Sequence, residues 1–198
     1  LELAIRAGCN VVSTCEELSY PAAGHPELAA RLDALAREHG VTVLGTGVNP
    51  GFVMDTLPVF FSGVAQAVTA VRVERVQNAS TRRKPLQEKI GSGKTVEEFQ
   101  HLVAAGTVRH VGLRESAYLI AHGPGWMIER YEERIEPVIA ERRIVTQYFT
   151  VEPGRVCGVD QLGRAIVDGV ERITLHLRMY LDADPAYDHV LLEGPTPL

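Results

Sequence analysis

The sequence predicts an α/β start joined to an α+β remainder: the C-terminal part of a Rossmann-type parallel sheet, then an α+β domain with a largely antiparallel sheet. Three observations carry this. Residues 1–65 alternate short β-branched runs with helical periodicities in the order α-β-α-β-α, the grammar of parallel strands with crossover helices. Strands dominate from Arg130 onward. Within them Ile173, Leu175, Leu177, Met179 and Leu181 alternate with Arg172, Thr174, His176, Arg178 and Tyr180, as in an antiparallel strand with one buried face.

Taken in order, Leu1–Ala7 reads as the tail of a helix closed by Gly8, and 10–14 as a short strand. Cys15, Glu16 and Glu17 lie just past that strand's C-terminal end, where open α/β sheets place ligands. Pro26 suits a first helical position, and Leu28, Leu32 and Leu35 recur at helical spacing as far as Gly40. Residues 41–44 form a second short strand, and the apolar run 52–64 a helix. Between them Gly45-x-Gly47-x-x-x-Gly51 is a dinucleotide fingerprint with one residue too many, and Pro50 offers no N–H to a phosphate. As a bare pattern it is either a pyrophosphate loop or a tight strand-to-helix turn. Glu74 ends the next predicted strand, 71–74, roughly where a ribose-binding acid belongs.

A polar loop is expected over 78–94, with Arg82, Arg83, Lys84, Gln87 and Lys89. Two arginines beside a lysine can clamp a carboxylate, because a guanidinium presents paired donors in a fixed fork. Gly91-Ser-Gly-Lys-Thr95 looks like the end of a Walker A loop, but Glu88 stands where that motif needs its first glycine. Thr95 with Glu98 is instead a capping box for a helix to about Ala105. A further helix runs from Glu115 to about His122. Strands follow at 144–151 and 156–167, with Asp168-Gly169 as a two-residue hairpin turn, and a last strand at 188–192.

The chain has 198 residues, 45% hydrophobic and 23% charged, with a net charge of −5. That balance, without a basic patch or tail, argues against nucleic-acid and membrane-surface partners. No apolar run reaches membrane-spanning length. The three cysteines (Cys9, Cys15, Cys157) have no metal-ligand spacing, no metal site is expected, and reduced, buried thiols in a cytoplasmic protein are expected. The seven histidines are scattered and read as structural.

Several phrases then combine: Asn10-Val-Val-Ser-Thr-Cys-Glu-Glu-Leu18, Gly47-Val-Asn-Pro-Gly-Phe-Val-Met-Asp55, the run from Asn78 to Gly91, His110-Val-Gly-Leu-Arg-Glu-Ser116 and Ile135-Glu-Pro-Val-Ile139. Together they resemble the 2,4-diaminopentanoate dehydrogenase family, relatives of dihydrodipicolinate reductase, nearly end to end. The resemblance implies an NAD- or NADP-dependent oxidoreductase acting on the C–N bond of a small (di)amino acid by hydride transfer. Reduction of a cyclic imine is the alternative chemistry. It also implies truncation at both ends: 1–65 as a Rossmann remnant, 66–182 as an α+β substrate and oligomerisation domain, and 183–198 as a terminal strand and tail.

On the same resemblance, Thr14, Cys15 and Glu16 border the nicotinamide ribose, and Asn49, Gly51 and Phe52 form the turn facing the nicotinamide. Arg82 and Arg83 are candidate substrate-binding residues, and Lys89 the candidate catalytic acid/base. The fragment by itself is expected to be inactive. A reading from another class is a non-catalytic assembly module, pairing as a homo-oligomer through the outer face of the strand bearing Arg172, His176, Arg178 and Tyr180.

Overall fold

The structure, a computed structural model, describes residues 1–195; the end of the expected tail, 196–198, lies outside the described residues. Helix α1 (Glu2–Arg6) leads to β1 (Val11–Ser13), and α2 (Pro26–Glu38) to β2 (Val43–Gly45). The two strands pair in parallel, Val11 opposite Val43. Ile5 of α1 and Leu32, Leu35 and Ala36 of α2 form their small core. Pro26 occupies the first turn of α2, where its missing N–H costs nothing.

The second sheet has five strands in the order β4-β7-β8-β3-β9. These are β3 (Ala70–Asn78), β4 (Arg130–Ile139), β7 (Val156–Val167), β8 (Val170–Tyr180) and β9 (Tyr187–Glu193). All neighbours are antiparallel except β3 with β8, which run parallel. Asp168 and Gly169, at φ 51° and 72°, make the β7–β8 hairpin turn, both in the left-handed region that a two-residue turn of this hand requires. Helix α6 (Leu113–His122) lies on one face, setting Leu113, Ala117 and Ile120 against Val71, Val73, Ile173, Leu175 and Leu177. The last three are 0% exposed, each stabilising the fold by about 1.5–3 kcal/mol. The opposite face is a lattice of charges: Arg178 reaches Glu74, His176 reaches Asp160 at 2.8 Å, and Arg72 reaches Glu171 and Glu193.

A second cluster joins α4 (Lys84–Lys89) and α5 (Val96–Ala104) to the sheet through Ile90, Phe99, Val108, Val156 and Leu181. The expected capping box is formed: Thr95 Oγ1 accepts from Glu98 N–H, and Glu98 accepts from Thr95 N–H.

Several expectations are corrected. The segment 84–89 is helix α4, not loop, because the Gln87 side chain turns inward. Its amide nitrogen donates to the Ser80 and Arg82 carbonyls, and its oxygen accepts from Thr146. The stretch 144–151 is not one strand but two short ones, β5 (Ile144–Val145) and β6 (Thr150–Val151). Thr146 Oγ1 accepts from the Tyr148 and Phe149 N–H groups and turns the chain there. Glu74 does not end its strand: β3 continues to Asn78, and Glu74 is spent on Arg178. The thiols are not uniformly buried. Cys9 and Cys15 are exposed; only Cys157 is buried, and burial pushes its thiol up to about 11. No helix among the described residues is long and apolar enough to cross a membrane.

Candidate functional site at the joint between the two sheets

The strand-to-helix turn after β2 docks onto the second half of the chain. Gly45 ends β2 under a 3-10 turn at Glu16–Ser19; a Cβ there would meet the Leu18 carbonyl oxygen at 2.0 Å. Gly51, at φ +115°, folds back on Gly47, whose nitrogen a Cβ would approach to 2.3 Å. Gly112, just before α6, packs on the Pro50 ring, where a Cβ would meet Cγ at 2.4 Å. Glycine is required at these close approaches for want of space.

Asp55 is the knot of the joint. Fully buried, it caps α3 (Thr56–Ser62) and accepts from Gly51 N–H at 2.7 Å, from Thr56 N–H, and from the Ser116 hydroxyl of α6 at 2.7 Å. The Thr56 hydroxyl donates to the Gly51 carbonyl at 3.0 Å. The turn thus gives its Gly51 N–H to the Asp55 carboxyl within the chain, and its Pro50 ring packs on Gly112 at the start of α6.

His110 sits on the far side of the joint. Gln161, fully buried on β7, grips its backbone twice: His110 N–H donates to Gln161 Oε1 at 2.7 Å, and Gln161 Nε2 donates to the His110 carbonyl at 2.8 Å. The same Nε2 donates to Glu133 at 2.7 Å, and Tyr131 donates its hydroxyl to Glu133 at 2.8 Å. Burial, reinforced by the Lys89 charge, lowers the His110 imidazole to about 4, so it is neutral near pH 7; Glu16 and the Asn49 carbonyl pull the other way. Its Nε2 and the Asn49 Oδ1 are both buried without a hydrogen-bond partner.

Beside His110 opens a cavity of about 440 Å³, lined among others by Glu17, Arg109, Arg114, Glu115, Tyr131 and Glu133. Burial, together with the Glu17 and Glu133 charges, raises Glu115 above the usual carboxylate range. Tyr131 is likewise raised, by burial and by Glu133.

The structure gathers some of the sequence-derived candidates and leaves others apart. Glu16, Asn49 and Lys89 bear on the His110 charge, although Lys89 lines a groove that His110 does not. Gly51 is buried in the joint, whereas Thr14, Cys15 and Phe52 are exposed. The Cys15 thiol donates to Glu17 at 3.3 Å, and this bond raises it. Arg82 and Arg83 are exposed in the turn leading into α4. Sequence reasoning missed His110, Gln161 and Glu133, which lie 23 to 51 positions apart and meet only through strand pairing and a loop clamp. The available signal was the His110–Ser116 phrase, in which His110 stands two residues before the glycine that packs on Pro50.

Comparison with known proteins places this architecture. A 2,4-diaminopentanoate dehydrogenase from Acetoanaerobium sticklandii is 36% identical over 191 residues, covering 93% of this chain and 54% of its own length. The chain thus spans about half the length of that curated relative. An amine dehydrogenase structure from Mycobacterium smegmatis shares the fold, with a TM-score of 0.78 at 22% identity, over 98% of this chain and 61% of that one. Residues 52–183 match the model of the 2,4-diaminopentanoate dehydrogenase C-terminal domain, and the chain belongs to that family.

Proposed function

We infer that the whole protein is an NAD(P)-dependent oxidoreductase that removes hydride from an amine-bearing carbon of a small (di)amino acid. The observation carrying this reading is the joint. A backbone turn from a parallel α/β unit meets a neutral histidine and an acid-lined cavity from the second sheet.

The residues fit the nicotinamide end of the cofactor. Asn49 Oδ1 and His110 Nε2 are buried polar atoms lacking partners, and a carboxamide carries both a donor and an acceptor for such atoms. When bound, the dinucleotide supplies the hydride acceptor. Asn49 would orient its carboxamide edge, with Gly51 fixing the turn behind it, and the Thr14–Glu16 segment would border the ribose. In the cavity, Glu17 and Glu133 suit ammonium groups and Arg109 or Arg114 suits a carboxylate, while Arg82 and Arg83, outside its lining, would meet the carboxylate only from the turn before α4. The amine first loses one proton, for which Lys89 is the acid/base. Loss of hydride then leaves an iminium, and water replaces its nitrogen to give a ketone and ammonium. His110, held in place by Gln161, is a hydrogen-bond partner for the nitrogen or the attacking water.

In this reading the protein divides at about residue 65, with the second part carrying substrate contacts. The charge lattice on the open face of the five-stranded sheet, Glu74–Arg178 and His176–Asp160 included, is the surface through which a second copy would pair. Incubation of the whole protein with NAD⁺ or NADP⁺ and a panel of diamino acids should generate reduced-nicotinamide absorbance. Silence across the panel while cofactor still binds would reject the reading. Activity only in reverse, on cyclic imines, would replace it with the reductase alternative.

A further inference from the structure

A groove of about 900 Å³ lies between α4, α5 and the β5–β6 hairpin, and every residue lining it falls within 85–155, so none comes from the parallel unit. Its apolar lining is Pro85, Leu102, Val108 and Phe149. The Gly91-Ser-Gly-Lys stretch forms one wall. Gly91 and Gly93 both take φ +81°, which turns the chain sharply between α4 and α5 and leaves Ser92 inside and Lys94 outside. Gly93 N–H donates to the Val156 carbonyl at 2.8 Å, and Val156 N–H to the Lys94 carbonyl at 2.9 Å, so the wall is fixed to the start of β7. The walker-like wording therefore encodes a rigid double-glycine turn.

Two independent features of this groove point to a ligand. Ser92 lines it, is 5% exposed, and its hydroxyl has no hydrogen-bond partner. A buried hydroxyl without a partner is costly, and a ligand atom would recover that cost. The charges on the rim are also unequally engaged. Each carboxylate has a partner: Glu88 with Lys84 at 3.6 Å, Glu152 with Arg143 at 3.2 Å, and Glu98 in the capping box. The three cations, Lys89, Lys94 and Arg155, form no ion pair among the described residues.

We propose that this groove is a second binding site, distinct from the joint, for an organic anion with an apolar body: a carboxylate whose aryl or branched alkyl part lies on Leu102, Val108 and Phe149. Its charge meets Lys94 and Arg155, and one oxygen accepts from the Ser92 hydroxyl. A bare phosphate would leave the apolar lining uncovered, and a neutral analogue would leave the cations unpaired. The inference does not rest on the activity proposed above: the anion's polar partners are Ser92, Lys94 and Arg155, and Lys89 on the rim is the one residue the two readings share.

The test is a titration of the ¹⁵N-labelled protein with phenylacetate, and separately with phenylacetamide, phenethylamine and inorganic phosphate. Phenylacetate should shift the amides of Ser92–Lys94, Val108 and Phe149–Thr150 and saturate in the millimolar range, while the other three should not saturate. Arg155→Gln, at an exposed position, should weaken phenylacetate by about tenfold, and Ser92→Ala by about threefold to tenfold. Absence of phenylacetate shifts, equal binding of phenylacetamide or phosphate, shifts centred on Asn49–Gly51 and His110, or an Arg155→Gln variant with unchanged affinity would each overturn it.

Discussion

In the small parallel sheet, Val12 of β1 and Leu44 of β2 are 70% and 50% exposed, whereas Ile173, Leu175 and Leu177 in the five-stranded sheet are fully buried. Both regions place apolar residues in strands, but parallel strands are satisfied only when both faces are covered. Here α1 and α2 cover one face of β1–β2 through Ile5, Leu32 and Leu35. The difference identifies what holds the turn after β2. It is not anchored by a deep core in its own sheet. It is fixed from the other side, by Asp55 accepting from Ser116 and by Pro50 seated on Gly112.

That contrast can be broken most strongly at Asp55. Asp55→Ala strands the Gly51 and Thr56 N–H groups and the Ser116 hydroxyl, and should cost about 3–5 kcal/mol in urea denaturation. A loss below about 1 kcal/mol would mean that the parallel unit holds the turn by itself. Catalysis sharpens the same comparison, because the proposed chemistry belongs to the second half and cofactor binding to the first. In the whole protein Lys89→Ala should lower kcat by about a hundredfold with cofactor affinity nearly unchanged. Arg82→Ala or Arg83→Ala should mainly raise the substrate KM. A Lys89→Ala enzyme with wild-type turnover would remove Lys89 from the acid/base role.

A smaller effect lies in pH. With His110 lowered to about 4 in the fold, the unfolded chain, with its histidine near 6.5, binds the extra proton across the interval between them. Stability should therefore rise with pH through that window and fall on acidification, by about 2 kcal/mol after allowance for the partial exposure of His110. Glu115, raised by burial, gives a slope of the opposite sign at the upper edge of the carboxylate range. The difference between wild type and His110→Gln isolates the histidine; identical pH profiles would contradict its buried, neutral state.

Much of this architecture was legible in the sequence because it is local. Capping at Thr95 and Glu98, the Asp168-Gly169 hairpin and the alternation along β8 depend on neighbours a few positions apart, and all were formed. The helix at 84–89 was not legible, because its stability comes from Gln87 reaching Thr146, 59 positions away. The site was legible at its edges and hidden at its centre. Asn49, Glu16 and Lys89 stood out by phrase or charge. The clamp between Gln161 and His110 leaves no periodicity, since one buried glutamine within a strand resembles any other polar residue. The glycine pattern stayed ambiguous for a physical reason: glycines at 45 and 51 serve close backbone approaches, which look the same in sequence as a turn opened for phosphate.

The most direct measurement is a calorimetric titration of the 198-residue chain with NADH and NADPH. The Gly45–Gly51 turn gives its Gly51 N–H to Asp55, and the remaining candidates, Thr14–Glu16 and Asn49–Phe52, would meet only the nicotinamide end. Without charge-assisted bonds to the pyrophosphate, worth roughly 1.5–3 kcal/mol each, either cofactor should bind no tighter than about millimolar. Micromolar binding of NADH or NADPH would contradict the account and return Gly45–Gly51 to the role of phosphate loop.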